Sequence, residues 1–185
     1  RYKLAYEIVN KSVDAVKQME QAVEELDADL TEFNKVADLS TSGLESFVDK
    51  AYDAAEKIGR TGSDMIKAST EFKRAGYDVD ESLNMGNAAL VMTNVADGID
   101  STEESASTLI SVLKGFNMDD ADIMNIVDKM NSVSNQSPVG FDNLAEGLER
   151  VSGTMNQAGN SIDRKPNHFP QGIMRLPCDP CFSVI

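Results

Sequence analysis

An all-α fold is what this 185-residue sequence predicts: a long N-terminal coiled-coil-like helix, a compact array of short capped helices, and an irregular C-terminal tail. Three observations lead there. Near the N-terminus, apolar residues recur at alternating spacings of three and four. Farther on, helix stops are followed at once by helix starts, and one such phrase occurs twice, as "AGYDVDES" from Ala75 and "KGFNMDDA" from Lys114. No strand-like alternation competes anywhere before residue 164.

In the first segment, residues 1–39, Val9, Val16, Val23, Leu30 and Ala37 fall at sevens, interleaved with Ser12, Met19, Leu26 and Phe33. That is the seam of a heptad pattern, and Glu20, Glu24 and Asp27 keep the other faces wet. A helix is predicted over residues 4–39, about 54 Å long at 1.5 Å per residue. A helix of that length either projects and pairs with copies of itself or folds back on its own domain. For the first case, Val9, Val16, Met19, Val23, Leu26, Leu30 and Phe33 are the candidate self-association residues. Val at one seam position with Leu or Met at the other leans toward a parallel dimer, while polar Ser12 and bulky Phe33 leave the strand number open.

The second segment, residues 40–163, reads as a multi-helix core domain. After a break at Ser40 to Gly43, the spacing of Ser42 and Glu45 predicts a capping box. Gly59 to Gly62 ends that helix, and Ser63 opens the next. In the repeated phrase Gly76 and Gly115 read as stops, because glycine enters the left-handed region without a Cβ penalty. Asp78 with Glu81, and Asn117 with Asp120, then read as starts, and Asp100 with Glu103 begins a helix in the same manner. A loop with Pro138 and Gly140 leads into the last helix. Joints are expected at 59–63, 76–78, 98–100, 115–117 and 134–140, and connections this short make sequential helices neighbours.

The third segment, residues 164–185, holds the single His, both Cys and four of the five Pro, with no helical period. Such a shift in composition reads as a truncated, frame-shifted or otherwise non-native tail. A first residue that is Arg rather than Met suggests a piece of a longer protein.

Charge and motifs narrow the function classes. With 31 acidic against 17 basic residues, a formal charge of −14 opposes gripping phosphate backbones, so no specific nucleic acid binding is expected. No apolar run approaches the roughly 18 residues a membrane span requires. Cys178 and Cys181 form a CxxC with His168 nearby, but a zinc site needs a second pair and a redox motif needs a βαβ context. Asp78, Asp80 and Ser82 alternate as in a calcium loop, yet Leu83 stands where the turn glycine belongs and Ala89 where a bidentate Glu belongs. Asp119, Asp120 and Asp122 suit the first turn of a helix without any substrate. With no nucleophile elbow, phosphate loop or second His, neither an enzyme nor a cofactor or metal site is expected.

From Ala37 to Asp163 the chain resembles the conserved region of tail tape measure proteins of tailed bacteriophages, the group typified by lactococcal phage and found also in prophages. The resemblance rests on "ADLSTSGLESF", on the run from "AGYDVDESLNMGNAALVM" through "GFDNLAEGLERV", and on the close "QAGNSID". Each piece is only a capped helix; their order and spacing are the specific part. After Arg164 the sequence departs from the alanine-rich helix that such proteins continue with, which puts the end of the domain in doubt. The resemblance implies a structural role in the virion tail, assembled in the host cytoplasm. The tail tube polymerises around such a chain, chain length sets tail length, and the chain is released as the genome leaves. The implied partners are tail tube and tail assembly proteins, with self-association. One straight helix of all 185 residues would mark only about 280 Å, so this piece is not a whole gauge. The alternative is a cytoplasmic helical scaffold or signalling adaptor that dimerises through its coiled coil.

Overall fold

The computed structural model describes the backbone of residues 2–158 and the side chains of residues 17–158. Helix α1 (Tyr2–Ala37) runs unbroken along the heptad pattern. It stops at Asp38, which adopts a left-handed φ of 51°, and the Asn34 carboxamide accepts the Leu39 N–H at 2.8 Å. Extended Ser40 then caps α2 (Thr41–Ile58), its hydroxyl accepting the Gly43 N–H at 3.3 Å. The cap expected at Ser42 is therefore displaced two residues toward the N-terminus: Ser42 already lies in the first turn, and its hydroxyl sits 3.2 Å from that of Ser40.

Thr61, not Ser63, opens α3 (Gly62–Arg74). Its hydroxyl accepts the Asp64 N–H at 3.1 Å while the Asp64 carboxylate accepts the Thr61 N–H at 3.3 Å, so two orphan donors are satisfied reciprocally. The expected box of Asp78 and Glu81 opens α4 (Val79–Val95), with bonds of 2.7 and 2.9 Å. At α5 (Thr102–Phe116) the cap is Ser101, bonded to the Glu104 N–H at 3.1 Å, one residue beyond the expected Asp100 and Glu103. Acceptor and acidic partner occur at both registers, and the one used buries Thr102 and Ile99. A 3-10 turn (Asp120–Asp122), α6 (Ile123–Gln136) and α7 (Phe141–Gln157) follow, with no strand among the described residues.

The two copies of the repeated phrase fold differently. Gly76, at φ 103°, follows the end of α3 as expected. Gly115 instead lies inside α5, and Asn117, expected to start a helix, ends one in the left-handed region at φ 53°. The start passes to Asp119, which caps the 3-10 turn. Close packing explains the difference: a Cβ at position 115 would lie 2.0 Å from Ser152 Oγ, so glycine is required where α5 crosses α7. Asn supplies the stop because its short polar side chain tolerates that conformation. The copies nonetheless meet in space, where Lys114 Nζ donates to the Ala75 carbonyl at 2.7 Å and lies 6.0 Å from the Tyr77 ring centroid.

Helix α3 is the hub. It packs against α1, α2, α4 and α5, and Met65, Ile66, Ala68 and Phe72 are wholly buried. Helix α7 lies across α5, and α6 bridges α4 and α7. The core mixes Met and Ala with buried hydroxyls that bond the preceding helical turn: Thr70 to the Ile66 carbonyl at 2.7 Å, and Thr93 to that of Ala89 at 2.8 Å. Thr93 also meets Ser105 at 2.8 Å, tying α4 to α5.

Candidate functional site

A long helix can cover its apolar seam only by packing against something, so the surroundings of each seam residue decide what remains for a partner. Phe33 is fully buried and stacks on Phe47 of α2, with ring centroids 3.9 Å apart and planes within 7°. Leu30 and Leu26 are half-buried against the same core. Beyond them the seam emerges: Val23 is 66% and Met19 68% exposed. The side chains of Val9 and Val16 lie outside the described residues. Of the seven sequence-predicted residues, three thus pack within the chain and two present apolar surface to solvent.

Charge fastens the C-terminal half of α1 to α3. Lys67 reaches Glu25 at 2.6 Å and Asp29 at 3.7 Å, Arg74 reaches Glu32 at 3.1 Å, and Ser63 hydrogen-bonds Asp29. The Lys67 pKa is raised, chiefly by its hydrogen bond to Glu25 and against the opposing effect of partial burial. That of Glu32 is lowered, first by Lys35 on its own helix and then by Arg74. Glu25, Glu32 and Arg74 are open to solvent, which screens these pairs, so the apolar contacts dominate the docking. Phe47, Lys67 and Arg74 were not marked by the sequence reading. The one available signal was that Phe47 continues the heptad phase of Phe33.

Toward its N-terminal side α1 diverges from α2, leaving an open groove of about 720 Å³ between Ala22 and Leu26 on one wall and Tyr52, Arg60 and Ser63 on the other. The acidic motifs do structural work elsewhere. Asp78 caps α4, and Asp80 pairs with Lys50 at 2.9 Å. Asp120 hydrogen-bonds Asp119, which raises the pKa of Asp120 and lowers that of Asp119; Asp119 also accepts the Ala121 N–H at 3.2 Å. No group of three or more His, Cys, Asp or Glu among the described residues is placed to hold a metal ion, and no described helix is long and apolar enough to cross a membrane. Cys178, Cys181 and His168 lie outside the described residues.

The fold and its surfaces define a helical packing module whose most distinctive exposed feature is the uncovered stretch of α1. The chain belongs to the family of phage-related minor tail proteins, whose model matches residues 48–164, from within α2 to beyond α7. It is accordingly a structural component of a phage tail, not an enzyme, and it acts among other tail proteins. No solved structure matches this chain.

Proposed function

We propose that this chain is a folded segment of a tape measure protein, which sets tail length while the tail tube assembles around it and is released during genome ejection. Membership of the minor tail protein family supports the tail setting, and the ordered series of capped helices supports the ruler. A helix has a fixed rise per residue, which is what a gauge requires. Helices α2 to α7, short and, from α2 to α5, capped by side chains, suit a compact station along such a ruler, whereas α1 suits the continuous run leading into it. Met19 and Val23 would then be covered by α1 of a second copy, so that neighbouring chains associate through the arm.

In-frame deletion of helical stretches from the parent gene, with tails measured by negative-stain microscopy, tests this reading. Removing residues from the straight helical portions is expected to shorten tails by about 1.5 Å per residue. Tails of unaltered length would reject it and favour a scaffold role.

A further inference from the structure

The connection between α1 and α2 contains neither Gly nor Pro; it consists of Asp38, Leu39 and Ser40 alone. Every residue in it can enter a helix, and the break rests on Asp38 at φ 51°, a left-handed conformation that Asp tolerates better than most L residues but that no helix interior contains. The seam also does not change phase across this break. Leu44 stands two heptads after Leu30, Phe47 two after Phe33, and Ile58 four after Leu30. A connection between unrelated helices has no reason to preserve heptad register, since the three intervening residues are free of the helical repeat. The two arms are, moreover, incompletely packed against each other. They touch at the Phe33 and Phe47 rings and then part around the groove between Leu26 and Tyr52.

From these three observations we propose that the α1–α2 hairpin is one state of a two-state element whose other state is a single helix from Tyr2 to Ile58, about 85 Å long. In the hairpin the seam is partly paired within the chain, Phe33 against Phe47. In the continuous helix both rings lie on one face, two heptads apart, and the uncovered seam is that of a coiled coil with a second copy. The second half of this statement rests on the self-association proposed above; the helix conversion does not. The hairpin is held at its turn by the left-handed Asp38, the Asn34 carboxamide on the Leu39 N–H and the Ser40 cap, and beyond the turn by the packing of both arms on α3, which the conversion has to release on one side.

Spin labels at positions 24 and 53, both exposed, report the two states in the full chain with Cys178→Ser and Cys181→Ser. In the hairpin these positions adjoin Glu25 and Tyr52, which line the same groove; in one helix they stand about 44 Å apart. Asp38→Ala with Ser40→Ala removes the cap and disfavours the left-handed residue, and is expected to raise the 44 Å population at least fivefold. Thr41→Pro sits at the first helical position after extended Ser40, where proline is accommodated, but it would break a continuous helix; it is expected to abolish that population. Circular dichroism on the same samples distinguishes conversion, which keeps or raises helicity, from local unfolding, which lowers it. Absence of the long distance in Asp38→Ala/Ser40→Ala, its persistence in Thr41→Pro, or its appearance with loss of helicity overturns the conversion. Sedimentation decides the partner: a long-distance species that remains monomeric overturns the pairing with a second copy while leaving the conversion standing.

Discussion

Replacing Gly115 by Ala tests the α5–α7 crossing most directly, because two opposing effects have known sizes. In an ordinary helix interior the change is stabilising by about 1 kcal/mol. Here the new methyl would lie 2.0 Å from Ser152 Oγ, 2.5 Å from Ser152 Cβ and 3.3 Å from the Gly153 nitrogen. Rotating the serine hydroxyl away does not relieve the overlap with its Cβ, so α7 has to move. Overpacking of this kind costs about 1–3 kcal/mol, and involvement of the backbone puts the site near the upper figure. The net expectation is a loss of about 2 kcal/mol, a fall in melting temperature of about 4–8 °C for a chain of this size. Gly147 in α7 is the internal control, since nothing lies within 4 Å of a Cβ built there. Gly147→Ala is expected to stabilise by about 1 kcal/mol. Urea denaturation followed by far-UV circular dichroism measures both in the full chain. Ser152→Gly in the Gly115→Ala background should recover stability, with a coupling of at least about 1 kcal/mol against the two single variants. If Gly115→Ala stabilises as much as Gly147→Ala, or the double variant shows no coupling, the glycine is not there for the crossing.

Phe33→Ala should cost about 3–5 kcal/mol by the same denaturation, because a fully buried ring and its stacking partner on Phe47 are lost. An unchanged midpoint would mean that α1 is not seated on the domain. Asp78→Ala is expected to cost about 1 kcal/mol through loss of the α4 cap, whereas Asp80→Ala, which removes an exposed ion pair and one first-turn carboxylate but no cap, should cost less, about 0.5 kcal/mol. The depressed pKa of Glu32 means that its charged form is favoured in the folded chain. Its contribution to stability is therefore complete above its unfolded value near 4.5 and is lost as pH falls through the lower, folded one. Carboxyl titration by NMR should show Lys35→Ala raising the Glu32 value more than Arg74→Ala does, since Lys35 is the larger cause; the reverse order would place the α1–α3 pair ahead of the intrahelical one.

Most helix boundaries were legible because the signals are local. Asp78 and Glu81 carry their own hydrogen bonds, and no distant residue is needed to make a cap there. Where two registers offered equivalent chemistry, as at Asp100 and Ser101, burial of Thr102 and Ile99 decided between them, and burial is not a local property. Gly115 shows the same limit. "KGFN" and "AGYD" are nearly alike as text, yet one glycine follows a helix and the other admits a neighbouring helix, and only Ser152, in another helix, distinguishes them. The α1 seam was legible as a seam but not in its partner. A heptad stripe specifies an apolar face, and Phe33 on Phe47 of the same chain satisfies it as well as a ring from another copy. The groove left no trace in the sequence, since it is lined by residues of α1, α2 and the joint before α3 that only the tertiary fold brings together.

The position of α3 at the centre of the fold has a consequence for synthesis. Both α1 and α2 precede the helix they pack on, so the ribosome delivers their apolar faces before the α3 surface that receives them. At about 5–20 residues per second, Phe33 waits a few seconds until Arg74 has been added, and longer while the intervening segment clears the exit tunnel. During that interval the α3 surface that receives Phe33 and Phe47 is absent, and the nascent chains of neighbouring ribosomes are within reach. On a polysome, where copies emerge side by side, contacts between chains are therefore open to α1 before contacts with its own domain.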